Sequence, residues 1–193
     1  MRGLRTTLRL PTEADLPAHQ RWAADPRVRR AGPIGRWHEP AMHATWKERF
    51  VEQSKETTSV LWSIDAGDSL VGYVRLGIEG SPPADSVQLR QLVIDPDRQR
   101  QGLGWDAALT LHRWIFDFMH LRMSSVDHVA ADDAGRQRIL ETLGYERFGH
   151  GHSVYYRSGA YVDGYLYQME LDAWDARWAT QREYAPLGPE SED

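Results

Sequence analysis

The sequence predicts an α/β fold with a mixed, mostly antiparallel central sheet of about six or seven strands flanked by about four helices. Short turns at 66–68 and 157–159 each separate two runs of strand-forming residues, which is the pattern of an antiparallel hairpin. Between 88 and 131 a strand, a helix and a second strand follow one another. Such a connection makes its two strands parallel neighbours, so the sheet must be mixed.

The first half of the chain supplies a strand, two helices and one hairpin. Thr12 and Asp15 have the spacing of a capping box, and the helix that follows places apolar residues on one face. A second helix is predicted from about Glu39, with Met42, Trp46 and Phe50 along one stripe. The predicted strands are Leu8–Leu10, Ser59–Asp65 and Leu70–Ile78.

The second half supplies the crossover and the closing hairpin. The central strand ends before Pro96, which cannot donate to a sheet, and Gly144 is placed to end a short helix. The predicted elements are strand Gln88–Asp95, a helix from Trp105, strand Ser125–Ala131, helix Ala134–Leu143 and strands 146–157 and 160–170.

Composition places these elements in one domain of a cytoplasmic protein. No linker divides the 193 residues, so we expect a single domain over 1–172, followed by a C-terminal helix and a disordered tail over 173–193. No apolar run approaches the ~18 residues of a membrane span. The absence of cysteine excludes disulfides and a thiolate nucleophile, and the net charge of −5 disfavours nucleic acid as a partner.

The segment LRQLVIDPDRQRQGLG at 89–104 predicts a phosphate site. Gly102 and Gly104 let backbone N–H groups approach a ligand closely, and the following helix offers its positive end to an anion. Arg98 and Arg100 add charge at the same place. A P-loop would require Lys and Ser or Thr after the second glycine, and a Rossmann fingerprint would require a third glycine, so both are disfavoured.

Three segments in the same order resemble the GNAT acyltransferase superfamily over roughly 170 residues. Gln99, Gly102 and Gly104 match its coenzyme A motif, Q/R-x-x-G-x-G/A, and a Leu-Gly-aromatic step follows at 143–145. The aromatic-x-Asp pattern of Tyr161 and Asp163 is similar to the branch that acetylates protein N-termini, polyamines and related small amines.

This resemblance implies an acetyl-CoA-dependent N-acetyltransferase in which a primary amine attacks the thioester directly within a ternary complex. It implies central strands that splay apart at a β-bulge near Leu92–Ile94, with the backbone N–H groups of Val93 and Ile94 binding the thioester oxygen. The residues that the resemblance assigns to coenzyme A are Leu92, Val93, Ile94, Arg98, Gln99, Arg100, Gln101, Gly102, Leu103, Gly104, Trp105 and Asp133.

The proton-transfer groups remain open at this stage. Many relatives carry a Glu on the central strand, whereas 88–91 reads Gln-Leu-Arg-Gln. Glu79, Asp85, His128 and Asp163 are therefore the candidate bases. Relatives often protonate the thiolate with a Tyr where this chain has Leu140. Either another tyrosine, such as Tyr145, Tyr155 or Tyr156, takes that role, or the thiolate leaves unassisted.

Other readings of the chain lead to different kinds of partner. The missing Tyr and Glu leave a non-catalytic coenzyme A-binding protein as the alternative function. A cluster at Arg27, Arg29 and Arg30 could bind nucleic acid, although such clusters usually lie at solvated helix ends.

His150 and His152 could chelate a metal, but without a nearby cysteine or carboxylate cluster no metal is expected. Hairpin tyrosines permit a homodimer, and no membrane contact is expected.

Overall fold

A computed structural model describes residues 1–29, 59–79, 85–157 and 159–178. The predicted helix from Glu39, Arg30 of the basic cluster and the tail after 178 lie outside these residues. The strands are β1 Thr7–Arg9, β2 Ser59–Ala66, β3 Ser69–Glu79, β4 Ser86–Ile94, β5 Met123–Ala130, β6 Glu146–Arg157 and β7 Ala160–Glu170. The α-helices are α1 Leu16–Ala24, α2 Pro26–Arg29, α3 Leu103–Arg113, α4 Ala134–Leu143 and α5 Leu171–Trp178.

The strands form one seven-stranded sheet in the order β1-β2-β3-β4-β5-β7-β6. The pair β4–β5 is parallel and every other neighbouring pair is antiparallel. The predicted mixed sheet, both hairpins and the parallel crossover are therefore confirmed. None of the helices in the described residues combines the length and apolar character needed to cross a bilayer.

The two faces of the sheet bury separate apolar clusters. The larger cluster lies under α3, α4 and α5 and includes Leu111, Phe116 and Trp174. The smaller cluster joins α1 and α2 to the opposite face through Trp22, Val28, Leu61, Tyr73 and Val93. Helices therefore cover both faces, and β4 lies in the middle of the sheet.

Two glycines set the ends of the helices around β4 and β5. Gly102 has φ of +80° and is the N-cap of α3, so this helix begins at Leu103 and not at the predicted Trp105. Gly144 has φ of +114° and ends α4, as its position in the sequence predicts. Leu103 and Gly104 thus belong to the first turn of the helix.

The N-terminal segment is tied to α3 by one buried carboxylate. Asp106 accepts the backbone N–H groups of Leu4, Arg5 and Thr6 at 2.9 to 3.0 Å, and the Thr6 hydroxyl donates to it at 2.7 Å. Only 7% of Asp106 is exposed. These bonds bring the start of the chain beside the first turn of α3.

Two buried histidines belong to polar networks within the cores. His112 of α3 contacts the Ala108 carbonyl through Nδ1 and the Tyr145 hydroxyl through Nε2, both at 2.6 Å, and that hydroxyl also lies 2.6 Å from Ser124 Oγ. His19 of α1 contacts Ser63 Oγ at 3.2 Å. Burial lowers the pKa of each histidine to about 4.

Acid should therefore destabilise the fold well before its carboxylates titrate. An unfolded histidine has a pKa of about 6.5, so between pH 6.5 and 4 the unfolded chain binds more protons and the free energy of unfolding falls as pH falls. We expect a loss on the order of 1 kcal/mol per pH unit for each histidine. Asp15, which lies beside His19, does not add to this loss of unfolding free energy between pH 6.5 and 4. Its pKa lies far below the usual value, so its own contribution to stability is lost only at lower pH.

Urea unfolding at pH 7 and pH 5 measures this effect. His120→Asn is the matched control, since His120 is exposed and has φ of +51°, a conformation that Asn tolerates. The control should keep the pH dependence of the parent protein. Equal free energies of unfolding at the two pH values would contradict the prediction.

Candidate active site

The central feature of the sheet is a fork between β4 and β5. These strands pair only at Ser86–Gln88 with Met123–Ser125. Beyond those residues the two described strands diverge, and β5 continues to pair with β7 alone on its other side. The predicted splay is confirmed, and it opens towards the carboxyl ends of β4 and β5.

The bulge in β4 lies earlier than the resemblance implied. Arg75 of β3 pairs with Gln91 and Leu76 pairs with Leu89, so Arg90 is the extra residue. The expected position at Leu92–Ile94 was therefore wrong by two or more residues. A Cβ at Gly77 would collide with the Arg90 guanidinium, which indicates that the glycine makes room for this side chain. The bulge thus lies at the level where β4 and β5 part.

The register of β3 and β4 fixes which backbone groups face the fork. Asp95 N–H donates to Val71 C=O at 2.8 Å, and the Val93 carbonyl lies against Gly72 of β3. Because alternate residues of a strand direct their polar groups to the same side, Val93 faces β3, whereas Leu92 and Ile94 face the open side. Of the two amides predicted to bind the thioester oxygen, the Ile94 N–H faces the fork and the Val93 N–H faces β3. The Leu92 N–H also faces the fork.

The glycine loop presents backbone donors beside the open end of the fork. The first bond within α3 runs from Asp106 N–H to Gly102 C=O at 3.0 Å, so the N–H groups of Leu103, Gly104 and Trp105 precede the helical ladder. A Cβ at Gly104 would meet only Ile94, at 3.4 Å, which is an ordinary contact. Main-chain N–H groups and the positive end of a helix are the features that bind phosphate groups in proteins.

Three arginines add positive charge at this loop. Arg98 and Arg100 belong to the loop itself, and Arg5 donates to Gln101 C=O at 2.9 Å from the N-terminal segment. Gln99, the first residue of the coenzyme A motif, donates to Ile94 C=O at 3.2 Å and so ties the loop to β4. Sequence reasoning missed Arg5 because it lies far from the motif along the chain.

A chain of polar side chains crosses the fork just past its last paired residues. The Gln88 amide of β4 donates to the Asp127 carboxylate of β5, and Arg90 Nε donates to Gln88 Oε1 at 3.0 Å. Asp127 is exposed. Val126 belongs to the cluster under α3, so Asp127 as its strand neighbour faces the side of α1 and α2. A carboxylate that the sequence analysis did not select therefore lies beside the fork.

A bulge in β5 places the side chains of Asp127 and His128 in different surroundings. Val126 pairs with Tyr167 and Val129 with Tyr165, so two residues of β5 stand opposite Leu166 alone. His128 has φ of +52°, and its Nδ1 lies 3.5 Å from the Cβ position of Gly151 in β6. The His128 imidazole thus lies against the closing hairpin, not in the fork. Its Nδ1 is buried and has no hydrogen-bond partner among the described residues.

The other predicted proton-transfer residues also lie away from the open end. Asp85 is exposed and forms an ion pair with Arg122 at 2.9 Å, next to the joined end of the fork. The backbone of Glu79 pairs with Ser86 at that same end. Tyr145 is 4% exposed, and burial raises the pKa of its hydroxyl, which already contacts His112 and Ser124. The structure does not bring these residues together with the glycine loop.

Several remaining candidates have local structural partners. Asp133 is the N-cap of α4, where its carboxylate accepts the Arg136 N–H at 3.1 Å. Arg27 of the basic cluster pairs with Asp25 and Asp97, both at 2.8 Å, and so links α2 to the loop after β4. Tyr155 donates its hydroxyl to the His128 carbonyl. Each of these three side chains therefore has a partner close by in the fold.

Comparisons with known proteins agree with this arrangement. A family model described as the acetyltransferase (GNAT) domain matches residues 5–146. The chain superposes on Vibrio cholerae spermidine N-acetyltransferase in complex with CoA and spermine with a TM-score of 0.73 and 18% identity, covering 88% of this chain and 98% of that one. A GNAT-family acetyltransferase from Bacillus anthracis gives a TM-score of 0.70 and 16% identity, covering 89% and 98%. No curated protein matches the sequence.

Proposed function

The chain belongs to the GNAT acetyltransferase family, and on that premise we propose that it transfers the acetyl group of acetyl-CoA to a primary amine, which attacks the thioester directly in a ternary complex. One observation carries the proposal. The fork exposes backbone groups of β4 immediately beside a glycine loop that precedes a helix. A strand edge and an anion site are what an amide-bearing chain with a diphosphate requires.

Coenzyme A binding is assigned to the loop and the open edge of β4. The N–H groups of Leu103, Gly104 and Trp105 would hold the diphosphate, with Arg5, Arg98 and Arg100 nearby. The outward C=O group of Leu92 would accept from an amide of the pantetheine arm. These donors are main-chain groups, so the site depends on backbone geometry more than on side-chain identity.

The thioester oxygen becomes negative as the amine attacks. Fixed hydrogen-bond donors must stabilise that charge. The N–H groups of Leu92 and Ile94 face the fork and are the donors we assign to this task. Ile94 is 8% exposed and belongs to the larger core, so the strand holding these amides is rigid. Pre-aimed donors of this kind need no reorganisation during the reaction.

Proton removal from the acceptor is assigned to Asp127. An alkylamine has a pKa of about 10 and is mostly an ammonium ion at pH 7, so it must lose a proton before it can attack. Asp127 is an exposed carboxylate beside the fork, where it can attract the ammonium and accept its proton directly or through water. Because Tyr145 is buried, solvent is assigned the protonation of the departing thiolate.

A small aliphatic polyamine is the first acceptor to test. Two solved structures of similar fold are named as spermidine N-acetyltransferases or chimeras of one, and a polyamine cation suits the Asp127 carboxylate. Coenzyme A release should be measured with spermidine, an aminoglycoside, a free amino acid and a short peptide. Turnover on any amine supports the transferase. Tight coenzyme A binding without turnover on every amine would favour the non-catalytic alternative.

Replacing Gly104 with Val should weaken coenzyme A binding at least about tenfold, equivalent to ~1.4 kcal/mol. The added branched side chain would occupy the space assigned to the diphosphate. A Cβ at this position makes only an ordinary contact with Ile94, so the fold should tolerate an alanine variant. Calorimetric titration of coenzyme A measures the change.

Gly104→Ala and Ala176→Val complete this experiment. The smaller alanine should give an intermediate loss of affinity, since it adds only one methyl group to the same position. Ala176 is an exposed residue of α5, so its replacement by Val adds a branched side chain to a helix that is not part of the loop. Unchanged affinity in Gly104→Val would place the diphosphate elsewhere.

A further inference from the structure

Two histidines and one aspartate converge on the outer hairpin, away from the fork. Within the described residues, one group of three potential metal ligands has its ligand atoms within 4.8 Å of one another, namely His150, His152 and Asp163. We propose that this group binds a divalent transition-metal ion of the Zn²⁺ type. No carboxylate was predicted beside the two histidines, and the fold places Asp163 there.

The distances suit a small ion. His150 Nε2 lies 2.8 Å and His152 Nδ1 lies 3.5 Å from Asp163 Oδ2. Ligands that each bind Zn²⁺ at about 2.0 to 2.2 Å in a tetrahedron stand roughly 3.3 to 3.5 Å apart. Small rotations of exposed side chains therefore suffice to place the three atoms around one ion, with water completing its coordination.

An irregularity in β6 creates this convergence. Gly151 pairs with Gly164 and Tyr155 pairs with Val162, so three residues of β6 stand opposite Asp163 alone. His152 is one of these three residues, and it packs edge to face against His150 with ring centroids 4.2 Å apart. The bulge thus supplies a second imidazole to the side of the hairpin that already carries the first.

The backbone orients the carboxylate for this task. Ser153 has φ of +55°, and its N–H donates to Asp163 Oδ1 at 2.8 Å. That bond fixes Oδ1 and leaves Oδ2 facing both imidazoles. In metal sites, hydrogen bonds from groups that do not bind the metal orient the ligands in the same way. The Ser153 N–H and the His150 imidazole also lower the pKa of Asp163, so the carboxylate is ionised at neutral pH.

The chemistry of the ligands selects the class of ion. Imidazole nitrogens bind Zn²⁺, Cu²⁺ and Ni²⁺ well, whereas Mg²⁺ and Ca²⁺ prefer oxygen ligands. The side chains of His150, His152 and Asp163 are 42%, 81% and 37% exposed, so an ion can enter from solvent. Binding would clamp β6 to β7 at the bulge and stabilise the hairpin against local opening.

Calorimetric titration of the tag-free full-length protein with Zn²⁺ tests the proposal. The parent protein should bind one Zn²⁺ per chain, and His152→Gln and Asp163→Asn should each weaken that binding at least about tenfold. His152→Gln is the decisive variant, because its side chain is mostly exposed and its loss leaves the hairpin cores intact. His120→Asn removes an exposed histidine elsewhere and should bind Zn²⁺ as the parent protein does.

Thermal unfolding with and without Zn²⁺ supplies a second readout. Zn²⁺ should raise the midpoint of the parent protein and of His120→Asn, and EDTA should reverse the shift. His152→Gln should show no such shift. No Zn²⁺ binding by the parent protein, or equal binding by His152→Gln, would overturn the proposal and leave the cluster as a histidine–aspartate ion pair that stabilises the bulge.

Discussion

Replacement of Asp127 by Asn should lower kcat/KM for the amine about 100-fold at pH 7, while the affinity for coenzyme A stays unchanged. Asn has almost the same shape, and its side-chain oxygen can still accept from Gln88, so the strands around the fork should keep their geometry. What is lost is the charge that attracts an ammonium ion and the base that takes its proton, a contribution of about 10²- to 10⁴-fold.

The dependence of this loss on pH identifies its cause. At pH 9 a larger fraction of the acceptor is already the free amine, so the variant should recover relative to the parent protein. A residue that only held the strands together would lower the rate equally at both pH values. The ratio of the two kcat/KM values, measured between pH 7 and pH 9, therefore separates proton transfer from structure.

Asp85→Asn is the matched control for this experiment. Asp85 is also an exposed aspartate next to the pair β4 and β5, but it lies at the joined end of the fork and pairs with Arg122. Its replacement should change kcat/KM little. If Asp85→Asn lost the activity and Asp127→Asn kept it, Asp85 would be the base, as the sequence allowed. The assignment of Asp127, which is based on its position beside the fork, would then be wrong.

Local signals in the sequence predicted the frame of this site well. Turn residues and alternating apolar runs predicted β6 and β7 at 146–157 and 160–170, the limits found in the structure. The break before Pro96 and the two glycines predicted the loop between β4 and α3. Each of these features depends on residues that are neighbours along the chain, so their chemistry can be read without knowledge of the fold.

The two bulges beside the fork, which are set by pairing between distant segments, were not predicted correctly. The β4 bulge depends on the register between β4 and β3, and the residues of β4 alone do not predict that register. The β5 bulge left a readable trace, because Val126 and Val129 are apolar residues three positions apart, which departs from the alternation of a regular strand. That trace favours a bulge, but only the pairing with β7 tells whether Asp127 or His128 faces the fork.

Replacement of Asp106 by Ala should lower the free energy of unfolding by about 3 to 4 kcal/mol. The variant leaves three backbone N–H groups and the Thr6 hydroxyl without their shared acceptor. Asp106 and Thr6 are 7% and 2% exposed, so water cannot easily replace the carboxylate. An unsatisfied buried donor costs about 1 to 3 kcal/mol, and the N–H and hydroxyl of Thr6 are the two buried donors that lose their acceptor.

The same change should also weaken coenzyme A binding, since Arg5 reaches Gln101 from the segment that Asp106 holds. Urea unfolding and calorimetric titration measure the two effects on one preparation. Asp68→Ala is the control: Asp68 is exposed in the turn between β2 and β3, so its loss should cost under about 1 kcal/mol and leave binding intact. If Asp106→Ala unfolded like the control, the N-terminal segment would not be anchored on α3, and Arg5 would have no fixed place beside the loop.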